Sequence, residues 1–328
     1  MGFTGDSICI KADLSFERIE NLKEGDLLYN PETGLNSKIK KIETFYSEEG
    51  YIFKTENFFE INMSKDTYIK TSSLNINKKP FCLNSPNYIN PYNLNKLCFL
   101  VMPKIESKNN SSFEELFLYS KILLKGSYDE ATNKLILNNF KENYKEYQKN
   151  ISHKNINIVN NKQLKKLYIN EIKDISWLSN IIKNTKQRTI NTNVFNISNE
   201  NINYFVNELL KENCEFYLDD NNFRLYVQSK IISVQLFYLL LGNTNKYPKI
   251  EQIKKDNWNI KNVKNSHKKN KYSVSCHDKI KPILSKGNYF FQQVTFFDKN
   301  NRNLKYIKII TENNDPFVVY NTIVKEIE

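Results

Sequence analysis

The sequence is poor in the residues that build disulfide scaffolds and zinc sites. Five cysteines, at positions 9, 82, 98, 214 and 276, form no Cys-x-x-Cys pair, and their odd number argues against a disulfide framework. Cys276-His277 stands near His267, but the spacing is not that of a zinc site, so one loop thiol and surface imidazoles are expected there and no metal. No apolar run approaches the ~20 residues that cross a bilayer, which predicts no membrane association. No charged-then-apolar signal opens the chain, and Asp6 stands where a myristoylation motif needs Ser or Thr. Together these absences predict a soluble protein of a reducing, intracellular compartment: cytoplasm, nucleus or virion.

At 328 residues, 40% apolar and 26% charged, the chain is long enough for two domains and a sizeable core. Lys and Arg outnumber Asp and Glu by 48 to 36, a formal +12 that favours nucleic acid as a partner. The excess is nearly all lysine in a chain crowded with Asn and Ile, residues that A/T-rich codons encode, so gene composition accounts for much of it.

Local patterns divide the chain into three parts. Residues 1 to about 103 read as short strands: 38–42, 51–54, 59–63 and 68–71, separated by Asn30-Pro31, Thr33-Gly34 and Glu49-Gly50. Thr4-Gly5-Asp6 forms a tight turn, and Leu22 to Asp26 a second in which Gly25 supplies a positive φ. After the polar linker 107–112, the spacing predicts a helix over 113–126, apolar at Phe113, Leu116, Phe117, Ser120, Leu123 and Leu124, then a strand over 133–137. Helical stretches are expected near 162–168 and 175–183. Ser198 is the expected N-cap of a helix over 200–211, followed by a hairpin over 215–228 and a helix over 229–241 that ends at Gly242. The tail returns to strands at 288–297, 305–311 and 314–326. Asp219 and Asp220 read as hairpin-turn residues, Asp6 and Asp26 as caps of backbone N–H groups, and Cys9 as packed.

The opening, Thr4-Gly5-Asp6 followed by a polar hairpin and Leu22-Lys23-Glu24-Gly25-Asp26-Leu27-Leu28, resembles that of inteins and Hedgehog-type autoprocessing domains, the Hint fold. In that family a Cys or Ser nucleophile precedes the pattern; Gly2 holds this place. A T-x-x-H motif supplies the histidine that polarises the scissile peptide, and Ser64-Lys65-Asp66-Thr67 occupies it, with Thr67 for the imidazole. The C-terminus, Phe317-Val318-Val319-Tyr320-Asn321-Thr322-Ile323-Val324, resembles the approach to an intein splice point, with Lys325 and Glu326 where the family has His-Asn. Splicing needs a nucleophilic thiol or hydroxyl, a group that protonates the leaving amide, and a cyclising Asn; Gly2, Thr67 and Glu326 supply none of these.

Leu97 to Lys104 is similar to the exit by which many inteins lead into an endonuclease, and the middle of the chain resembles a degenerate LAGLIDADG homing endonuclease. Such enzymes pack two helices side by side and hold divalent cations on an acid at each C-terminal end. Lys125 and Asn213 stand at those positions here, so Mg2+ is expected only if nuclease activity is retained.

The resemblance implies an α+β protein: an all-β Hint module from 1–104 and 271–328, with an inserted α/β LAGLIDADG-like domain, 105–270, of two pseudo-twofold αββα halves. It implies a catalytically silent, intein-derived component of a viral or mobile-element assembly, bound to double-stranded DNA or to other proteins. Lys134, Arg224, Lys230, Lys268, Lys269 and Lys271 are the candidate phosphate contacts. The alternatives are an inactivated form of a self-splicing intein with homing-endonuclease activity and an unrelated interaction protein.

Overall fold

The computed structural model describes residues 2–75, 82–95, 97–105, 116–138, 157–161, 166–170, 177–184, 186–214, 216–219, 222–243, 247–252, 272–276 and 283–326. These fall into two compact units, one formed by Met1–Ile105 with Ile280–Glu328 and the other by Glu106–Lys279. The protein is α+β, mainly antiparallel sheet with few helices.

The first unit begins with β1 (Phe3–Thr4), β2 (Ile8–Ile10), β3 (Phe16–Arg18), β4 (Leu27–Tyr29), β5 (Asn36–Ser47), β6 (Gly50–Thr55), β7 (Ile61–Ser64), β8 (Tyr68–Asn75), β9 (Cys82–Leu83), β10 (Asn87–Ile89) and β11 (Cys98–Pro103). In the second unit follow α1 (Leu116–Ile122), β12 (Gly126–Asp129), β13 (Lys134–Asn138), β14 (Asn157–Asn161), β15 (Lys166–Asn170), α2 (Leu178–Ile182), α3 (Asn199–Asn213), β16 (Phe216–Asp219), β17 (Asn222–Val227), α4 (Lys230–Asn243), β18 (Lys249–Gln252) and β19 (Tyr272–Cys276). The chain closes in the first unit with β20 (Leu284–Lys286), β21 (Tyr289–Asn300), β22 (Leu304–Thr311), β23 (Phe317–Val319) and β24 (Thr322–Lys325).

The strands of the first unit make one winding sheet in the order β3-β2-β23-β24-β8-β11-β21-β6-β7-β1-β22-β5-β4, with β9 and β10 on β8 and β20 on β21. Early and late strands interleave: Phe3 pairs with Ile307 and Met63, Cys9 with Val319, and Val324 with Ile69. The polar/apolar alternation decides which face is buried. Ser37 and Ile39 of β5 point inward while Lys38 and Lys40 face water, and the inward faces meet on Phe3, Phe53, Ile61, Met63, Val294 and Tyr306. Gly25 takes φ 90°, and Asp26 Oδ2 accepts the Lys23 N–H at 3.0 Å, so the second turn is capped by its own aspartate. Gly50 opens β6 because the Tyr306 hydroxyl sits where a Cβ would be.

Each half of the second unit carries a four-stranded antiparallel sheet, and the two share one topology. The orders β12-β13-β15-β14 and β16-β17-β19-β18 both place the fourth strand between the second and third. A helix precedes each sheet, α1 and α3. Tyr119 stacks on Phe205 at 5.7 Å, and two residues on from Tyr119, Lys121 meets Glu208 three residues on from Phe205, so the helices run parallel. Ser198 caps α3 by accepting the Asn201 N–H at 3.2 Å. Burial of Ile202, Phe205, Val206, Leu209 and Leu210, about 1.5–3 kcal/mol each, outweighs the cost of starting the helix. α4 is buried on all sides from Lys230 to Leu241, as a central helix must be.

Several expected boundaries shift. The helix expected near 162–168 is corrected: its described residues, from Lys166, belong to β15, where pairing with both β13 and β14 satisfies the backbone that a helix would have satisfied internally. α1 ends at Ile122, and Gly126 opens β12 because a Cβ there would lie 2.7 Å from the Ile122 carbonyl oxygen. α4 continues through Gly242 to Asn243.

Candidate functional site

In the first unit, residues far apart in sequence converge around Gly2. Its N–H donates to Thr67 Oγ1 at 3.0 Å, and its carbonyl accepts the Ser64 N–H at 2.8 Å and the Thr67 hydroxyl at 3.3 Å. The Ser64 and Thr67 hydroxyls lie 3.2 Å apart, both fully buried. β8, which begins just after Thr67, pairs with β24 so that Tyr68 faces Lys325. The β1–β22 register carries Gly2 opposite Lys308, whose Nζ holds Glu326 Oε1 at 2.8 Å. Gly2, Thr67, Lys325 and Glu326, expected to mark one centre, are thus held around a single strand junction.

The Thr67 hydroxyl is tied to Gly2 and to the Ser64 hydroxyl, and among the described residues neither imidazole nor carboxylate is bonded to them. Glu326 is engaged by Lys308, and that hydrogen bond raises the lysine above its usual range. The room for a side chain at position 2 is taken. A Cβ on Gly2 would meet Phe45 Cζ at 2.9 Å and Tyr306 Cβ at 3.1 Å, and those two rings stack at 5.7 Å.

In the second unit, the expected metal positions lie at the neighbouring C-terminal ends of α1 and α3. Lys125 is half-buried just past α1. Asn213, the last residue of α3, donates from Nδ2 to the Leu209 carbonyl at 2.8 Å, and its buried Oδ1 has no partner among the described residues. Between the helices, Glu208 is held from both sides, Oε2 by Lys121 at 2.8 Å and Oε1 by Lys211 at 2.9 Å. Burial pushes the Glu208 pKa up, but these two ammonium groups overcome it and leave the carboxyl below the usual range. Arg188 donates to the carbonyls of Leu123 at 2.9 Å, Gly126 at 2.7 Å and Lys183 at 3.1 Å, closing the end of α1; burial draws its pKa down to about 10. Among the described residues, no group of three or more His, Cys, Asp or Glu is placed to hold a metal ion.

Of the candidate phosphate contacts, Arg224 is exposed on β17 and Lys134 half-buried on β13. Lys230 is corrected: at 8% exposure in the first turn of a buried helix, it is not a phosphate contact. Lys268, Lys269 and Lys271 lie outside the described residues. Sequence reasoning passed over Lys121, Arg188, Glu208 and Lys211. Lys121 carried one signal, a lone charge within the otherwise apolar run 116–124, and such a charge needs a buried partner.

No family model matches the chain. Over 266 residues it is 24% identical to the eukaryotic translation initiation factor 2-alpha kinase 2 of Plasmodium berghei (strain Anka), a match that takes in 80% of this chain and 8% of that protein. The sequence carries no Gly-x-Gly-x-x-Gly, His-Arg-Asp or Asp-Phe-Gly, the stretches with which kinases cover the nucleotide, supply the base and hold the metal. At this identity and coverage the likeness establishes neither fold nor activity.

Proposed function

We propose that the chain is an intein-derived scaffold, a Hint-type β module carrying a LAGLIDADG-like unit, which neither splices nor cuts and which binds duplex DNA. The observation that carries this reading is the junction at Gly2. The N–H of the peptide that the resemblance makes scissile donates to Thr67, and the Gly2 carbonyl, in the next peptide, accepts from Thr67 and Ser64, beside the strand that ends in Lys325. The shared strand order of the two sheets and the parallel pairing of α1 with α3 support the second half of the reading.

The chemistry is missing at every step. Gly2 has no side chain to attack the preceding carbonyl, Thr67 is no acid for the leaving amine, and Glu326 has no amide nitrogen to cyclise. The Phe45 ring and the Tyr306 Cβ crowd the space of a nucleophile, which supports loss of the reaction over a single inactivating replacement. In the second unit Lys125 and Asn213 leave no acid pair for metal-assisted hydrolysis. The formal +12 and exposed Arg224 favour a polyanionic partner.

Two measurements test this. Placed between two reporter proteins, the chain should give only the intact fusion by mass spectrometry. Affinity for duplex DNA should fall steeply as salt rises; an absence of binding at low salt would remove the DNA reading and leave protein partners.

A further inference from the structure

A cavity of about 50 Å3 opens in the second unit where the chain leaving α1 meets the turn from β17 into α4. Leu123 and Leu124 wall it on one side, and the run from Tyr226 to Ser229 with Ile232 on the other. Leu124, Tyr226 and Gln228 are half-buried, so the cavity has a side toward water. Among the described residues that line it, Arg188 is the only one with a charge, and none is Asp or Glu.

Arg188 is 4% exposed. Its Nε, Nη1 and Nη2 each give one hydrogen to a carbonyl, of Lys183, Leu123 and Gly126 respectively. A guanidinium has five N–H donors, so two are left with no acceptor among the described residues. Nη1 lies 2.9 Å from the carbonyl of Leu123, itself a lining residue, which sets the guanidinium at the wall. On the facing side Ser229 caps α4 by accepting the Ile232 N–H at 3.2 Å, and the start of this 14-residue helix carries partial positive charge. Oxygen atoms bearing negative charge suit both walls; a metal cation suits neither. A single water needs about 10–15 Å3, so the space admits about three to five waters or one ion of five heavy atoms.

We propose that this cavity takes one free tetrahedral oxyanion of phosphate size, held by the two spare N–H groups of Arg188 beside the start of α4. A phosphate in a nucleic-acid backbone brings a sugar on each side, which a space this small does not admit. The site is therefore independent of the DNA-binding reading.

The test is calorimetric titration of the full chain with sodium phosphate, in chloride of matched ionic strength. Wild type should give a saturable single-site isotherm, and sulfate should compete. Leu124→Trp adds bulk at the half-buried wall and leaves every acceptor of Arg188 in place; it should weaken phosphate at least about 10-fold. Arg188→Gln should weaken it as much, with thermal melts confirming that each variant folds. If Arg188→Gln is misfolded, the wild-type titration and Leu124→Trp decide. A short duplex without terminal phosphates should leave the phosphate isotherm unchanged. No saturable phosphate binding by wild type, a folded variant that binds as wild type does, or displacement of phosphate by the duplex would overturn the inference, and the first two would leave the DNA reading untouched.

Discussion

The Lys121–Glu208 pair joins α1 to α3 in the second unit. Lys121 is fully buried between α1 and α3, its Nζ 2.8 Å from Glu208 Oε2 and 4.9 Å from the centre of the Phe117 ring. Glu208→Gln replaces the carboxylate bonded to the buried Lys121 ammonium by a neutral amide. Breaking a buried pair from one side costs about 3–5 kcal/mol, whereas replacing both partners by apolar groups is often neutral or stabilising. Glu208→Gln should therefore lower stability by that amount, on the order of 6–20 °C in Tm for a unit of this size. The double variant Lys121→Met, Glu208→Met should recover most of the loss. Both tryptophans, Trp177 and Trp258, belong to the second unit, and Trp177 packs 5.2 Å from Tyr119, so tryptophan fluorescence in urea follows this unit alone. The same pair sets a pH dependence. Glu208 titrates below the ordinary glutamate value of 4.5, so its contribution is complete above that value and is lost as pH falls through the lower folded value. A loss under about 1 kcal/mol for Glu208→Gln would mean that Lys121 reaches solvent by another path, and the account of the helix interface would fail.

Two further variants probe the first unit. Thr67→Val keeps the shape but leaves the Gly2 N–H without its 3.0 Å acceptor, and should cost about 1–3 kcal/mol in chemical denaturation. Gly50→Ala forces a methyl against the Tyr306 hydroxyl and the Met63 carbonyl, and should lower Tm, with near-ultraviolet circular dichroism reporting the displaced tyrosine.

What the sequence revealed and what it concealed follow from the range of the interactions involved. Ser198 with its apolar stripe, the Gly25 turn and the hairpin over β16 and β17 were legible because their causes lie within a few residues: a side-chain cap, a positive φ, an alternation of period two. The strand at Lys166–Asn170 was not, since Leu167, Tyr168 and Ile169 fit either spacing and only two partner strands decide between them. Lys230 looked like a surface lysine because nothing local announces that α4 is enclosed on every side. At the candidate site, the positions of Gly2 and Thr67 could be read from motif order, but their filling could not. Phe45 closes over Gly2 from a strand some forty residues away, and Arg188 reaches α1 from beyond four strands and a helix.

The first unit lets the chain out and takes it back at neighbouring places. β11 and β21 pair to their ends, Pro103 opposite Tyr289, and the Lys104 N–H still reaches the Asn288 carbonyl at 2.9 Å. In effect the whole of Glu106–Lys279 is a hugely extended loop hung from one strand pair. Ring-closure entropy grows only with the logarithm of loop length, so swapping a tight turn for this excursion burdens the host by on the order of 3 kcal/mol. The strand order of the first unit is thus set by pairs that lie on either side of that doorway, whatever the length of chain between them.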